Sequence, residues 1–278
     1  MILFGGPVFC RSDDPYELAD AHRRMGYRAA YCPAIDPQDA AGIRDARDAF
    51  AGAGIVLAEA NAWGNLLAAD PARQAANLDR VCRQLALADE IGALCTVDYL
   101  GTVDPHSEYG PHPDNLTDAL FDRAVQTARE VLDAVKPRRA KFAFEMMQWV
   151  MPDSADCYAR LLAAVDRLQF AVHLDPVNIV VTPRQYFNTA ALIRECFGKL
   201  GPHIVSCHAK DLVLRNQLAL HLDEVRPGLG RLDYRVYLEE LLRLGRDVPL
   251  MLEHLGTAGE YADALAHLKS IERDVLQT

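Results

Sequence analysis

The chain has 278 residues, 50% of them hydrophobic and 24% charged, an ordinary globular composition that excludes a disordered or fibrous protein. Acidic residues number 39 against 29 Lys and Arg, and the resulting charge of -10 gives no footprint for a phosphate backbone, so no nucleic-acid partner is expected. The seven cysteines are scattered with no C-x-x-C pair, no apolar stretch nears the roughly 20 residues of a membrane span, and residues 1–9 lack a signal peptide's positive leader. A soluble, cytoplasmic protein with no membrane partner is expected, its cysteines mostly small core residues.

Short apolar runs alternate with helical patterns along the chain. Run 1–4 reads as a strand, and Asp13-Asp14-Pro15 then opens a helix to Met25 that Gly26 stops. Run 28–32 precedes a helix from about Pro37 to Gly54, and run 55–60 precedes a helix over 71–91. That helix carries Leu78, Val81, Cys82, Leu85 and Ala88 at helical spacing before Gly92 ends it. Run 94–99 leads into a long polar loop, 101–115, and a helix over about 117–135 closed by Pro137. Strands at 141–145, 170–174, 204–208 and 249–253 then alternate with helices at 153–167, 189–200, 234–244 and 260–275.

These are eight strand–helix units with no Ser- or Pro-rich linker, so residues 1–278 are expected to form a single domain. Alternating strands and helices imply parallel pairing through right-handed crossovers. Eight units in this length fit an α/β fold of the (β/α)8 TIM barrel type. An open dinucleotide-binding sheet fits less well, because Gly5-Gly6-Pro7 is not G-x-G-x-x-G and there is no Walker A sequence.

Barrel enzymes carry their catalytic groups at the C-terminal ends of strands. The first four units offer little there, with Glu59 and Asp98 the only carboxylates in their runs. The last four end in Phe144-Glu145, Leu174-Asp175, Cys207-His208 and Leu252-Glu253. One such acid is readily a structural hydrogen-bonding group, but four ligand-type residues on consecutive strands are harder to explain that way. Packed carboxylates resist ionisation unless a cation neutralises them. Three oxygen donors and one imidazole suit Mn2+, Mg2+ or Co2+, with tetrahedral Zn2+ the second choice.

Taken in order, Phe144-Glu145-Met146, His173 to Asn178, Cys207 to Asp211, Gly228 to Tyr234 and Met251 to His254 resemble the xylose isomerase-like barrel superfamily. The likeness spans the chain, since residues 58–63 fit as well, and is closest to the sugar phosphate isomerase/epimerase group with its ketose 3-epimerases and inosose dehydratases. The resemblance implies one divalent metal, Mn2+ first, held by Glu145, Asp175, His208 and Glu253, with Glu145 and Glu253 also moving protons on opposite faces of a small carbohydrate. A metal chelated by adjacent carbonyl and hydroxyl oxygens stabilises an enediolate, from which isomerisation, epimerisation or loss of a β-substituent can follow. Epimerases usually carry a histidine where this chain has Asn178, which cannot shuttle a proton. That departure gives weight to a lyase outcome, such as inosose dehydration or elimination from a 3-keto glycoside. A non-catalytic sugar- or protein-binding barrel ranks last because all four ligand positions are retained. A homo-oligomer is compatible with the sequence, which does not decide it.

Five further residues are candidates for substrate contact. Lys210, two beyond His208, should point the same way and either hold a substrate oxygen or pair with a neighbouring carboxylate. His173 either contacts substrate or, more simply, bonds a neighbour in the barrel core. Trp149, four residues after Glu145, is expected in the pocket wall, whereas Trp63 is expected to pack among loops. Asn178 and Arg215 complete the set by resemblance, Arg215 only loosely. Gly228-Leu229-Gly230 precedes a helix near Asp233, which reads as a turn and N-cap, so no phosphate site is inferred.

Overall fold

The computed structural model describes residues 1–277. Its strands are β1 (Ile2–Gly5), β2 (Ala29–Tyr31), β3 (Val56–Glu59), β4 (Cys95–Asp98), β5 (Lys141–Glu145), β6 (Phe170–Leu174), β7 (Ile204–Ala209), β8 (Asp211–Leu214), β9 (Leu222–Val225) and β10 (Val248–Leu252). Its helices are α1 (Pro15–Met25), α2 (Ala40–Gly52), α3 (Pro71–Ile91), α4 (Asp118–Val135), α5 (Ala155–Val165), α6 (Pro183–Tyr186), α7 (Thr189–Leu200), α8 (Tyr234–Arg243) and α9 (Ala258–Leu276). Eight strands close a parallel barrel in the order β1-β10-β7-β6-β5-β4-β3-β2. Closure runs from Ile2 opposite Val248 to Gly5 opposite Met251. A Cβ on Gly5 would stand 2.5 Å from Met251 Sδ and 2.6 Å from Ala29 O, so only glycine fits at this seam.

Helix starts follow side-chain caps. Asp14 accepts the Tyr16 N–H at 2.8 Å with Pro15 behind it, and Gly26, at φ 81°, ends α1. The second helix starts later than Pro37. Asp36 closes a turn by accepting the Gln38 N–H at 2.9 Å, and Asp39 then caps α2 through the N–H groups of Ala41 and Gly42 at 3.1 and 2.9 Å. Similarly, Ser154 and Thr257 set the starts of α5 and α9.

The segment after β7 is an antiparallel hairpin, β8 with β9, where the sequence suggests only a loop. Buried Asp211 organises it by accepting N–H groups of Leu212, Gly228, Gly230 and Leu232 at 2.8–3.1 Å. One carboxylate thus ties the base of the hairpin to the turn 17–21 residues further on, which no periodicity reveals. Asp233 caps α8 as expected, accepting the Val236 N–H at 3.0 Å. Among the described residues, no helix is long and apolar enough to cross a membrane.

The apolar core lies between the barrel and its helices and includes Phe142, Phe144, Phe170 and Tyr158. Three helix tyrosines pass through this layer to hold strand-end carbonyls. The Tyr158 hydroxyl lies 2.7 Å from Phe144 O and 2.9 Å from Ala171 O, Tyr237 donates to His208 O at 3.1 Å, and Tyr234 to Lys210 O at 2.6 Å. The Phe144, His208 and Lys210 carbonyls sit on or beside residues predicted for the site, so packing fixes where those side chains emerge.

Candidate metal and active site

Glu145 ends β5, Asp175 follows β6, His208 lies in β7 and Glu253 follows β10. The barrel brings the four together, with one donor atom from each lying within 4.8 Å of all the others. His208 Nδ1 is 3.0 Å from Glu145 Oε1, 2.8 Å from Glu253 Oε1 and 3.7 Å from Asp175 Oδ2. Lys210 Nζ lies 2.8 Å from Asp175 Oδ2 and 2.7 Å from Glu253 Oε1. Those two oxygens are buried and meet Lys210 as charge contacts without the approach angles of hydrogen bonds.

Charge dominates this cluster. Burial would raise the Asp175 pKa, but the Lys210 ammonium and His208 hold it well below the usual carboxylate range. The Glu253 carboxyl is likewise opposed by burial, yet His208 and Lys210 bring it down to about 2. For His208, burial favours the neutral ring, while Glu253, Tyr31 and Glu59 together raise its pKa well above the ordinary value. Lys210 stays charged, because Asp175, Glu145 and Glu253 outweigh its own desolvation.

The donor set fits a divalent ion. Three carboxylates against one ammonium leave two negative charges, the charge such an ion would balance. Metal–ligand bonds of about 2.0–2.2 Å need donors roughly 3–4.4 Å apart, and these donors need to move little to reach that. The carboxylate-rich set matches a hard or borderline ion.

Glu59 is the residue that sequence reasoning missed. It ends β3, is fully buried, and sits behind His208 with Oε2 3.3 Å from Nε2. Asn61 donates to the same oxygen at 3.2 Å, and Ser206 donates to Oε1. Burial would raise the Glu59 pKa, but His208 and His173 hold it well down. A carboxylate on the far nitrogen fixes the histidine tautomer and leaves Nδ1 for a metal. The signal was present, since Glu59 obeys the same strand-end rule, but it stands alone among uncharged neighbours in sequence.

Above the cluster opens a cavity of about 770 Å³ lined in part by Lys210, Trp149 and Asn178, three of the five residues named as candidates for substrate contact. Asn178 has a structural bond as well, donating to Met146 O at 3.0 Å. Trp63 also lines the cavity instead of only packing among loops. Two expected contacts lie elsewhere. His173 is fully buried below the cavity's lining, its Nε2 3.2 Å from Glu59 Oε1 and its ring against His208 at 4.1 Å. Arg215, on the hairpin, is half exposed and pairs with Asp223 at 2.6 Å, because the β8–β9 pairing turns this stretch along the hairpin instead of over the mouth. The hairpin does reach the cavity through Glu224, whose Oε1 lies 3.0 Å from His254 Nδ1.

Known proteins share this architecture. An L-ribulose 3-epimerase superposes with a TM-score of 0.72 at 16% identity, over 100% of this chain and 96% of that one. A xylose isomerase-like TIM barrel protein from Mycobacterium smegmatis, solved in complex with magnesium, gives 0.67 at 18% identity over 94% and 89%. The 3-keto-D-glucoside 4-epimerase of E. coli gives 0.67 at 15% identity over 97% and 100%. A search of curated protein sequences gives no match. The profile of a family described as xylose isomerase-like TIM barrel matches residues 19–271, nearly the whole of the closed barrel. On that match and that fold, the chain belongs to the xylose isomerase-like TIM barrel family.

Proposed function

We propose that the protein is a divalent-metal-dependent isomerase or epimerase acting on a ketose-like hydroxyketone. The observation that carries this proposal is the convergence of Glu145, Asp175, His208 and Glu253, with Lys210 held between two of them and with Glu145, Glu253 and Lys210 lining one cavity. Sugar epimerases among its structural neighbours support it. The four residues would hold the ion, Mn2+ first and Mg2+, Co2+ or Zn2+ as alternatives. When bound, such an ion supplies Lewis acidity that weakens the C–H bond between a carbonyl and a neighbouring hydroxyl.

The chain's own groups then manage the proton. Glu145 and Glu253 come from strands on either side of β6 and β7, so each is suited to its own face of a substrate. One carboxylate takes the proton from carbon and the other returns one, the pair acting as base and acid. Lys210 Nζ donates to a substrate oxygen as negative charge grows there. The aromatic side chains that share the cavity limit water at the reacting carbon.

A lyase outcome is the second reading, favoured by Asn178. Its amide donates to Met146 O and does not ionise near neutral pH, so it cannot take up or release a proton, and the chain lacks one proton carrier that epimerases usually have. Incubation of the metal-loaded protein in D2O with ketoses, inososes and 3-keto glycosides tests both. Deuterium in a recovered or epimerised sugar supports the first reading, and loss of water or an aglycone supports the second. No exchange and no elimination with any of these, under any of the four metals, would refute both.

A further inference from the structure

Four aromatic rings form a continuous run in the cavity wall. Trp63 stacks on Tyr99 at a centroid distance of 5.9 Å, Tyr99 meets Tyr109 at 5.7 Å, and Tyr109 stacks on Trp149 at 6.1 Å. All four line the same cavity as Glu145 and Glu253. Three different loops supply them, after β3, β4 and β5.

Buried polar groups hold this run in place. Trp63 has φ 48°, a left-handed backbone that bulky residues seldom adopt. Its turn is fixed by Arg80, donating to Trp63 O at 3.1 Å, and by buried Asp98, accepting the Gly64 N–H at 2.8 Å. Buried Asn115 donates to Gly110 O at 2.9 Å and to Trp149 O at 3.1 Å, tying the loop of Tyr109 to that of Trp149. Asn65 accepts the Thr102 N–H at 3.0 Å where the same loop departs, beside Gly101 at φ 101°. Strained backbone and buried anchors therefore present a wall that leaves Trp63 36% and Tyr109 52% exposed. Such a surface is built for contact.

The same cavity disfavours a phosphate. Glu59, Glu145, Glu224 and Glu253 line it, together with no arginine among the described residues, and the Lys210 ammonium already contacts Asp175 and Glu253. A phosphoryl dianion would meet negative potential there. A volume of about 770 Å³ also exceeds what one hexose fills and falls in the range of roughly 300–1,000 Å³ that houses drug-sized ligands.

We propose that the site takes an unphosphorylated glycoside, with its sugar ring at the carboxylates and its glycosidic substituent against Trp63, Tyr99, Tyr109 and Trp149. The substituent presents a flat apolar face, as an aromatic aglycone or a second pyranose does. Asn61 Oδ1, buried and without a donor among the described residues, accepts a sugar hydroxyl in the same cavity. Which end of the ligand reacts rests on the isomerase reading above, whereas stacking of the substituent does not.

Both tryptophans of the chain belong to the run, so intrinsic tryptophan fluorescence reports its occupancy without metal or turnover. The full chain is titrated with phenyl β-D-glucoside, cellobiose, glucose and glucose 6-phosphate. One glycoside should bind at least roughly tenfold more tightly than glucose, and glucose 6-phosphate should give no saturable response. A preference for the phenyl glucoside identifies an aromatic aglycone, and a preference for cellobiose a second sugar. Tyr109→Ala should shrink the glycoside-to-glucose preference roughly 3- to 10-fold, with Tyr109→Phe retaining it and melting curves showing that both variants fold. Equal binding of glucose and both glycosides, or tightest binding of glucose 6-phosphate, overturns the proposal. Glycoside binding without proton exchange on any substrate would sink the isomerase reading alone, and exchange without glycoside preference would sink this one alone.

Discussion

The two halves of the barrel mouth do different work with similar raw material. Strands β5, β6, β7 and β10 carry the charged cluster, while β3 and β4 carry two buried acids with opposite roles. Asp98 has its pKa pushed well up by burial and spends its carboxyl on backbone N–H groups, which makes it an anchor for the Trp63 turn. Glu59 is equally buried, but two histidines hold its pKa down and it braces His208 from behind. A strand-end acid is therefore assigned by what faces it across the barrel, not by its position on the strand.

Substitutions should separate the halves in order of effect. Glu145→Gln and Glu253→Gln remove the proposed proton carriers and should lower kcat by roughly 10²- to 10⁴-fold in steady-state assays. Near-normal turnover in either would dissolve the distinction between catalytic and supporting acids. Glu59→Gln should act one step removed, weakening metal affinity by roughly 10- to 100-fold in a calorimetric titration. If Glu59→Gln instead matched Glu145→Gln at saturating metal, Glu59 would belong with the reacting groups.

Protons and metal compete for His208. Its pKa is raised in the metal-free chain, and a metal needs the nitrogen free, so apparent affinity should fall about tenfold per pH unit below that pKa. Repeating the titration in buffers of different ionisation heat should reveal proton release, and affinity that rises on acidification would contradict the assignment. Further down the scale, Tyr158→Phe removes the one buried hydroxyl donor shared between the Phe144 and Ala171 carbonyls and should cost roughly 1–3 kcal/mol in denaturant unfolding. Arg215→Ala should change stability by less than about 0.5 kcal/mol and leave sugar affinity as it was, since its partner is Asp223 on the same hairpin. A clear loss of sugar affinity would return Arg215 to the mouth.

What the sequence discloses follows the same division. Helix caps such as Asp14-Pro15 are local, and the strand-end residues sit at fixed places in an alternating pattern, so both can be read directly. Glu145, Asp175, His208 and Glu253 were legible for that reason. Glu59 behind His208 was not, because the contact spans 149 positions and depends on barrel closure. The Asp211 hub and the β8–β9 hairpin escaped notice because each strand has only 4 residues and the carboxylate reaches N–H groups 17 and 21 positions away. Arg215 was misplaced in consequence. The aromatic run needs three loops at once, and only Trp149 was placed in the wall from its sequence position.

The most direct test is a metal titration of chelator-stripped protein, with bound ions counted by elemental analysis and melting temperature followed in parallel. One divalent ion per chain, and a melting temperature raised by roughly 5–10 °C at about a hundredfold excess over Kd, is the predicted result, with Asp175→Asn losing most of both. Protein that takes up none of Mn2+, Mg2+, Co2+ or Zn2+ and melts at the same temperature with each would contradict a metal centre at these four strand ends.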